Sequence, residues 1–245
     1  MLEIQWKIPK KEKRRYIDAD GNKLPSVTEI LDALGWNKGA LMGWANKIGR
    51  QGQTINEVRN PKADAGTLAH HLIECELTNV PWKETQEFCE ANQDLQVKAM
   101  QALEAWNEWW SAREADGWEV VDAEIAMQDD DAGFAGTCDL MLRDPAGELI
   151  VADIKTGSPH AEAIIQMAAY GILYSETPKY ALLIHVPTDG RPATCHFASD
   201  DTLRQAEEIW ENLLNISKYK KAWAAIGKKM YENTPKLEEK KGSPF

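Results

Sequence analysis

The chain has 245 residues, with 28 Lys and Arg against 39 Asp and Glu, and a formal net charge of −11. That length suits one domain with a substantial core. No apolar run approaches the roughly eighteen residues of a membrane span and no signal-peptide hydrophobic region stands at the N-terminus, so a cytoplasmic protein is expected, with no membrane partner. Cys75, Cys89, Cys138 and Cys195 are scattered without a C-x-x-C pair, which argues against a zinc site or a disulfide framework. No G-x-x-x-x-G-K-[ST] loop is present, so no nucleotide cofactor and no helicase motor are expected.

Residues 1–24 read as a charged segment with a short hairpin around Asp20-Gly21-Asn22. Ser26 and Glu29 have capping-box spacing, predicting a helix to about Leu34. Helices are expected from about Leu41 to Val58 and from Ala65 to Leu77. Another is expected across Thr85 to Asp116, where Leu95, Met100, Leu103, Trp106 and Trp110 recur near helical period. Three apolar runs follow, Trp118–Gln128, Phe134–Leu142 and Leu149–Ile154, separated by the turn-formers Asp129 to Gly133 and Asp144 to Glu148. They read as strand, turn, strand, turn, strand. Pro159–Ser175 reads as a helix, Tyr180–Val186 and Ala193–Phe197 as strands, Asp200–Lys229 as a long helix, and 231–245 as a polar tail. The whole divides into a helical part over 25–116, a sheet core over 117–198 and a C-terminal helix over 199–229, within one domain from 25 to 230.

If the second turn is centred on Ala146, Asp139 falls opposite Asp153. If the first is centred between Asp131 and Ala132, Glu124 falls opposite Asp139, and three carboxylates share a row. Like charges directly opposed on adjacent strands repel, so a cation between them is expected. Carboxylate oxygens suit a hard ion such as Mg²⁺. Lys155 lies two residues beyond Asp153, on the same face, where it meets a phosphate or a developing negative charge. The alternative is a solvated polar sheet face, and a one-residue slip would rotate any one acid out of the row.

Four further segments carry a resemblance. Gly66-Thr67-Leu68-Ala69-His70 matches a G-T-x-x-H motif, Gly136-Thr137-Cys138-Asp139 a G-x-x-D motif, Asp153-Ile154-Lys155-Thr156-Gly157 a (D/E)-x-K-T-G motif, and Gln166-Met167-Ala168-Ala169-Tyr170 a Q-x-x-x-Y motif. In this set and order the chain resembles the RecB-like exonuclease branch of the PD-(D/E)XK nuclease superfamily. Pro25 to Leu31 and Trp44-Ala45 add a likeness to phage exonucleases of that branch and to the mitochondrial genome maintenance exonuclease. The resemblance covers about residues 24 to 190.

It implies an α/β fold with a restriction-endonuclease-like core: a central mixed sheet flanked by helices, with a helical N-terminal part. The implied activity is metal-dependent exonucleolytic hydrolysis of DNA, in recombination, repair or processing in a bacterial cell or phage-infected host. Asp139, Asp153 and Lys155 are the implied catalytic residues. The implied metal shell is His70, Asp139, Asp153 and Ile154, with Glu124 from the strand row, holding Mg²⁺ or Mn²⁺. Gln166, Tyr170, Thr156 and Trp44 are the implied substrate contacts. The iron-sulfur relatives hold their cluster with four clustered cysteines, which this chain lacks, so no cluster is expected. The expected partners are DNA, single-stranded or with free ends, and a single-strand-annealing or recombination protein.

The acid excess opposes DNA binding unless cations are concentrated locally. Lys7 to Arg15 holds one such concentration, and Lys218, Lys220, Lys221, Lys228 and Lys229 form another. Each either flanks a DNA channel or is a solvated face. Of the ten tryptophans, Trp36, Trp44, Trp106, Trp109 and Trp110 are candidates for base stacking. Trp106 and Trp110 fit a core better, and Trp44 stands nearest the motifs. Three rivals stay open: a nucleic-acid-binding module with a decayed site, a structural or inhibitory interaction protein, and a structure-specific endonuclease.

Overall fold

In the computed structural model the described residues are 16–32, 34, 35 and 38–232. The basic stretch Lys7–Arg15, Trp36 and the tail from 233 onward lie outside them. A small antiparallel bridge between Ile17 and Lys23, closed around Gly21 at φ 84°, forms the expected hairpin. Helix α1 (Val27–Leu31) starts at a full capping box between Ser26 and Glu29.

Helix α2 (Lys38–Arg50) is followed by α3 (Ile55–Leu77). The helix expected from Leu41 to Val58 is therefore split, and the motif helix begins at Ile55 rather than Ala65. Gly52, at φ 75°, has the left-handed backbone with which helices commonly end. The helix expected over Thr85–Asp116 is also divided. A 3-10 turn (Trp82–Glu84) and α4 (Gln86–Glu90), whose cap is Thr85, precede α5 (Gln93–Ala115), whose amide at Leu95 is capped by the Asn92 side chain. Two successive caps restart the chain where apolar period alone reads as continuous.

Strands β1 (Glu119–Asp129), β2 (Phe134–Arg143) and β3 (Leu149–Lys155) form the expected meander. Helix α6 (Glu162–Leu173) crosses over to β4 (Tyr180–His185), then β5 (Thr194–Ala198) and the long α7 (Asp200–Glu232) complete the fold. The five strands lie in sequence order. The β3 and β4 pair is parallel and the others are antiparallel, so the sheet is mixed.

Helices cover both faces. Val27 and Ile30 of α1, Met167 of α6 and Trp210 of α7 pack on one, and Leu72 and Ile73 of α3 with Leu103 and Trp106 of α5 pack on the other. The central strand β3 is buried on both faces up to Ile154, as its unbroken apolar run requires. Trp106 and Trp109 are buried in the second core, and Trp110 stacks on Trp106 with ring centroids 6.0 Å apart.

The register carries the site. Leu140 pairs with Ala152 and Met141 with Val151, so the second turn is centred on Ala146. Ala123 pairs with Leu140 and Ile125 with Cys138, which centres the first turn between Asp131 and Ala132.

Candidate active site at the end of the central strand

Asp153 and Lys155 stand at the last turn of the pleat on β3. The Asp153 carboxylate is 1% exposed. The Lys155 ammonium donates to its Oδ1 at 2.9 Å and lies 2.7 Å from Oδ2, although no hydrogen bond is directed at that second oxygen. Lys155 Nζ also lies 3.4 Å from Gln166 Oε1, and Gln166 Nε2 donates to the Tyr170 hydroxyl at 2.9 Å. Gln166 and Tyr170 are one turn apart on α6, so both face the strand. The result is a continuous polar chain from Asp153 through Lys155 and Gln166 to Tyr170.

Burial pushes the Asp153 carboxyl up to about 7, the nearby Asp139 charge adds to the rise, and Lys155 opposes it. The carboxyl stays raised with a lysine in contact because burial outweighs the ion pair. Burial also raises the Tyr170 phenol far above its ordinary range, so Tyr170 stays a neutral hydroxyl. The ring is held in the first core against Gly136, where a Cβ would stand 2.5 Å from its Cε1.

Asp139 reaches the same end of the sheet from β2. Its Oδ2 accepts the main-chain N–H of Ile154 at 2.9 Å and lies 4.0 Å from His70 Nδ1 of α3. The Ile154 side chain is buried in the second core, so only its main chain faces the carboxylates. His71 turns elsewhere, with Nε2 3.6 Å from Glu87 Oε2 and beside the Cys75 sulfur.

Glu124 is level with Asp139, because the pairs on either side of it keep one register. The ladder is irregular there. Glu124 adopts φ 52°, a left-handed conformation uncommon for a side chain of its kind and a marker of strain. Residues two apart on a strand share a face, yet Ala123 and Ile125 pack into opposite cores, as do Cys138 and Leu140. Both strands thus change face at the level of Glu124 and Asp139. The charges of Asp139, Asp153 and Glu124 all act on the buried Cys138 thiol, which desolvation raises far above its ordinary value.

Thr156 follows Lys155 and meets α3. A Cβ on Gly66 would stand 2.5 Å from the Thr156 hydroxyl oxygen, so the glycine lets α3 approach the strand end. Trp44 is half-buried on α2. Periodicity and motif reading missed Gly66 and Gly136 as packing determinants. Their signal is the G at the head of two motifs, whose reason is visible only across elements.

Among the described residues no three His, Cys, Asp or Glu side chains converge as a preformed cation site. Asp139 and Asp153 stand near enough for their charges to interact. A Mg²⁺-type ion commonly takes one or two protein carboxylates and fills its shell with water and phosphate oxygens. The Asp153 Oδ2 atom, buried and without a directed hydrogen bond, fits such a ligand.

A sequence model described as the PD-(D/E)XK nuclease superfamily matches residues 47–236. No curated protein matches the chain. Among solved structures, that of LHK-Exo in complex with dAMP is 17% identical with a TM-score of 0.33, covering 67% of this chain and 86% of that one. The structure of SSO0001 is 14% identical with a TM-score of 0.29, covering 60% of this chain and 72% of that one. Likenesses of that order carry no functional information. The superfamily match is different in kind, because it runs over most of the chain and spans α3, the meander and α6, the elements that bring Asp139, Asp153 and Lys155 together. On that match, the chain belongs to the PD-(D/E)XK nuclease superfamily.

Proposed function

We propose that this protein is a divalent-metal-dependent DNA exonuclease serving recombination, repair or processing of bacterial or phage DNA. The observation that carries the reading is the meeting of Asp139 and the buried Asp153 with Lys155 at the end of β3. The exonuclease choice rests on the set of four motifs.

Asp139 and Asp153 would hold Mg²⁺ or Mn²⁺, with the Ile154 main chain, His70 and Glu124 as further members of the shell. When bound, the ion supplies charge neutralisation at the scissile phosphate and acidifies water. Lys155, tethered by Asp153 and Gln166, presents a fixed ammonium to charge that develops on the phosphate, a preorganised electrostatic role. Gln166 and Tyr170 brace that ammonium, and with Thr156 and Trp44 form the substrate contacts of this reading.

The test is incubation of labelled linear and circular DNA, single- and double-stranded, with Mg²⁺, Mn²⁺ or EDTA. Metal-dependent loss of linear DNA with circles intact is the expected result. Cleavage of closed circles would replace the exonuclease with an endonuclease, and no cleavage under any condition would remove the nuclease reading.

A further inference from the structure

Helix α7 changes character halfway along. Its first half carries Asp200, Asp201, Glu207, Glu208 and Glu211, and buries Leu203, Ala206, Trp210, Leu213 and Leu214 in the first core. From Asn212 to Tyr231 the sequence has five lysines and no Asp or Glu, in a chain with 39 acids. Lys218, Lys220 and Lys229 are exposed. Between them Tyr219 is 66% exposed and Trp223 67%. Ile216, Ile226 and Met230 are exposed as well and, at three- and four-residue spacing, share one helix face with Tyr219 and Trp223; a contiguous exposed apolar stripe needs a reason.

The topology says where this half points. β5 runs antiparallel to β4 and ends at Ala198, beside Ala181, so α7 starts at the end of the sheet remote from Lys155 and climbs toward it. Trp210 already touches Phe134, with ring centroids 5.0 Å apart. Phe134 opens β2, which runs antiparallel to β3, and therefore stands at the Lys155 end. A helix rises ~1.5 Å per residue, so Trp223 lies about 20 Å further along the helix axis than Trp210. The cationic, aromatic half of α7 thus continues the helix onward from a contact at the end of the sheet where Asp153 and Lys155 sit.

We infer that the second half of α7 is a track for single-stranded DNA, with Lys218, Lys220 and Lys229 on the phosphates and Tyr219 and Trp223 stacking unpaired bases. This rests on the nuclease reading of the site and adds the strand form it takes. Lysines on phosphates release counterions and drive binding, and stacking on an aromatic face requires an unpaired base.

The experiment measures anisotropy of a labelled oligo-dT and of a duplex in EDTA, across a salt series. Wild type is compared with Trp223→Ala and with a triple Lys218→Ala, Lys220→Ala, Lys229→Ala variant. The triple variant is expected to lower the slope of log affinity against log salt by about 2 on oligo-dT. Trp223→Ala is expected to weaken oligo-dT binding ~5-fold or more and duplex binding far less. Unchanged affinity and slope in both variants would overturn the inference. So would equal weakening on duplex, or a wild-type dimer in the ultracentrifuge that Trp223→Ala converts to monomer with oligo-dT affinity intact. Hydrolysis by wild type in Mg²⁺ and Mn²⁺ is scored separately. Binding that depends on α7 without hydrolysis supports the track and removes the nuclease reading; hydrolysis with binding independent of α7 does the reverse.

Discussion

Gly66 of α3 faces Thr156 at the end of β3 so closely that a Cβ on residue 66 would lie 2.5 Å from the Thr156 hydroxyl oxygen. This contact seats the helix that carries His70 against the strand that carries Asp153 and Lys155. Gly66→Ala is expected to destabilise the fold by about 1–3 kcal/mol, the usual cost of overpacking. Removing the hydroxyl as well, in Gly66→Ala with Thr156→Ala, leaves the added carbon near the Thr156 Cβ position at ordinary contact distance. Urea midpoints of the two single variants and the double should therefore be non-additive, with the double recovering much of the loss.

Asp153→Asn should reduce metal-dependent cleavage by three orders of magnitude or more while preserving shape. Lys155→Ala is expected to reduce turnover comparably yet keep cation affinity, since it removes no ligand. Calorimetry with Mn²⁺ separates the two: heat lost in Asp153→Asn and retained in Lys155→Ala. Loss of binding in Lys155→Ala would show that the lysine organises the cation site rather than acting on the phosphate.

The raised Asp153 carboxyl makes the metal-free protein sensitive to pH in a defined direction. Burial and the Asp139 charge push Asp153 up to about 7, so the folded state holds a proton that the unfolded chain, at its ordinary carboxylate value, releases earlier. Folding is then favoured below about pH 4 and loses that contribution as pH rises through about 7. In EDTA, the urea midpoint should fall between pH 5 and pH 8. Asp153→Asn should flatten this part of the profile, and saturating Mn²⁺ should reverse its sign.

His70 and His71 are adjacent in sequence and different in surroundings. His70 Nδ1 lies 4.0 Å from Asp139 Oδ2, whereas His71 packs beside Glu87 and Cys75. Imidazole suits Mn²⁺ better than Mg²⁺. His70→Ala should shrink the ratio of Mn²⁺- to Mg²⁺-supported activity with little change in stability. His71→Ala should leave the ratio alone and lower the thermal midpoint. Equal changes in the ratio would assign both to packing.

Glu124 holds a left-handed backbone at φ 52° level with Asp139. As a partner of the cation shell, Glu124→Gln is expected to cost 10- to 100-fold in metal affinity or activity. Glu124→Gly frees the backbone of strain, so it should lose the same activity with no loss of stability. Full activity in both variants would leave the strain without a catalytic purpose.

Much of this protein is written locally. The turn-formers at Asp129 to Gly133 and Asp144 to Glu148 set hairpin centres that the pairing of Ala123 with Leu140 and of Leu140 with Ala152 reproduces. Turn position fixes antiparallel register by arithmetic, so the approach of Asp139 to Asp153 was readable from spacing. The helix breaks at Gly52 and Asn92 were less so, because apolar period continues across both and the caps act on single residues. The meander was expected to set Glu124, Asp139 and Asp153 in one regular row. Instead the first two strands change face at Glu124 and Asp139, a response of backbone to packing from two sides that no one-dimensional pattern encodes. Gly66 against Thr156 and Gly136 against Tyr170 join residues far apart in the chain. Such contacts exist only once helices close on both faces of the sheet, and it is that closure which dries Asp153 and raises its proton affinity.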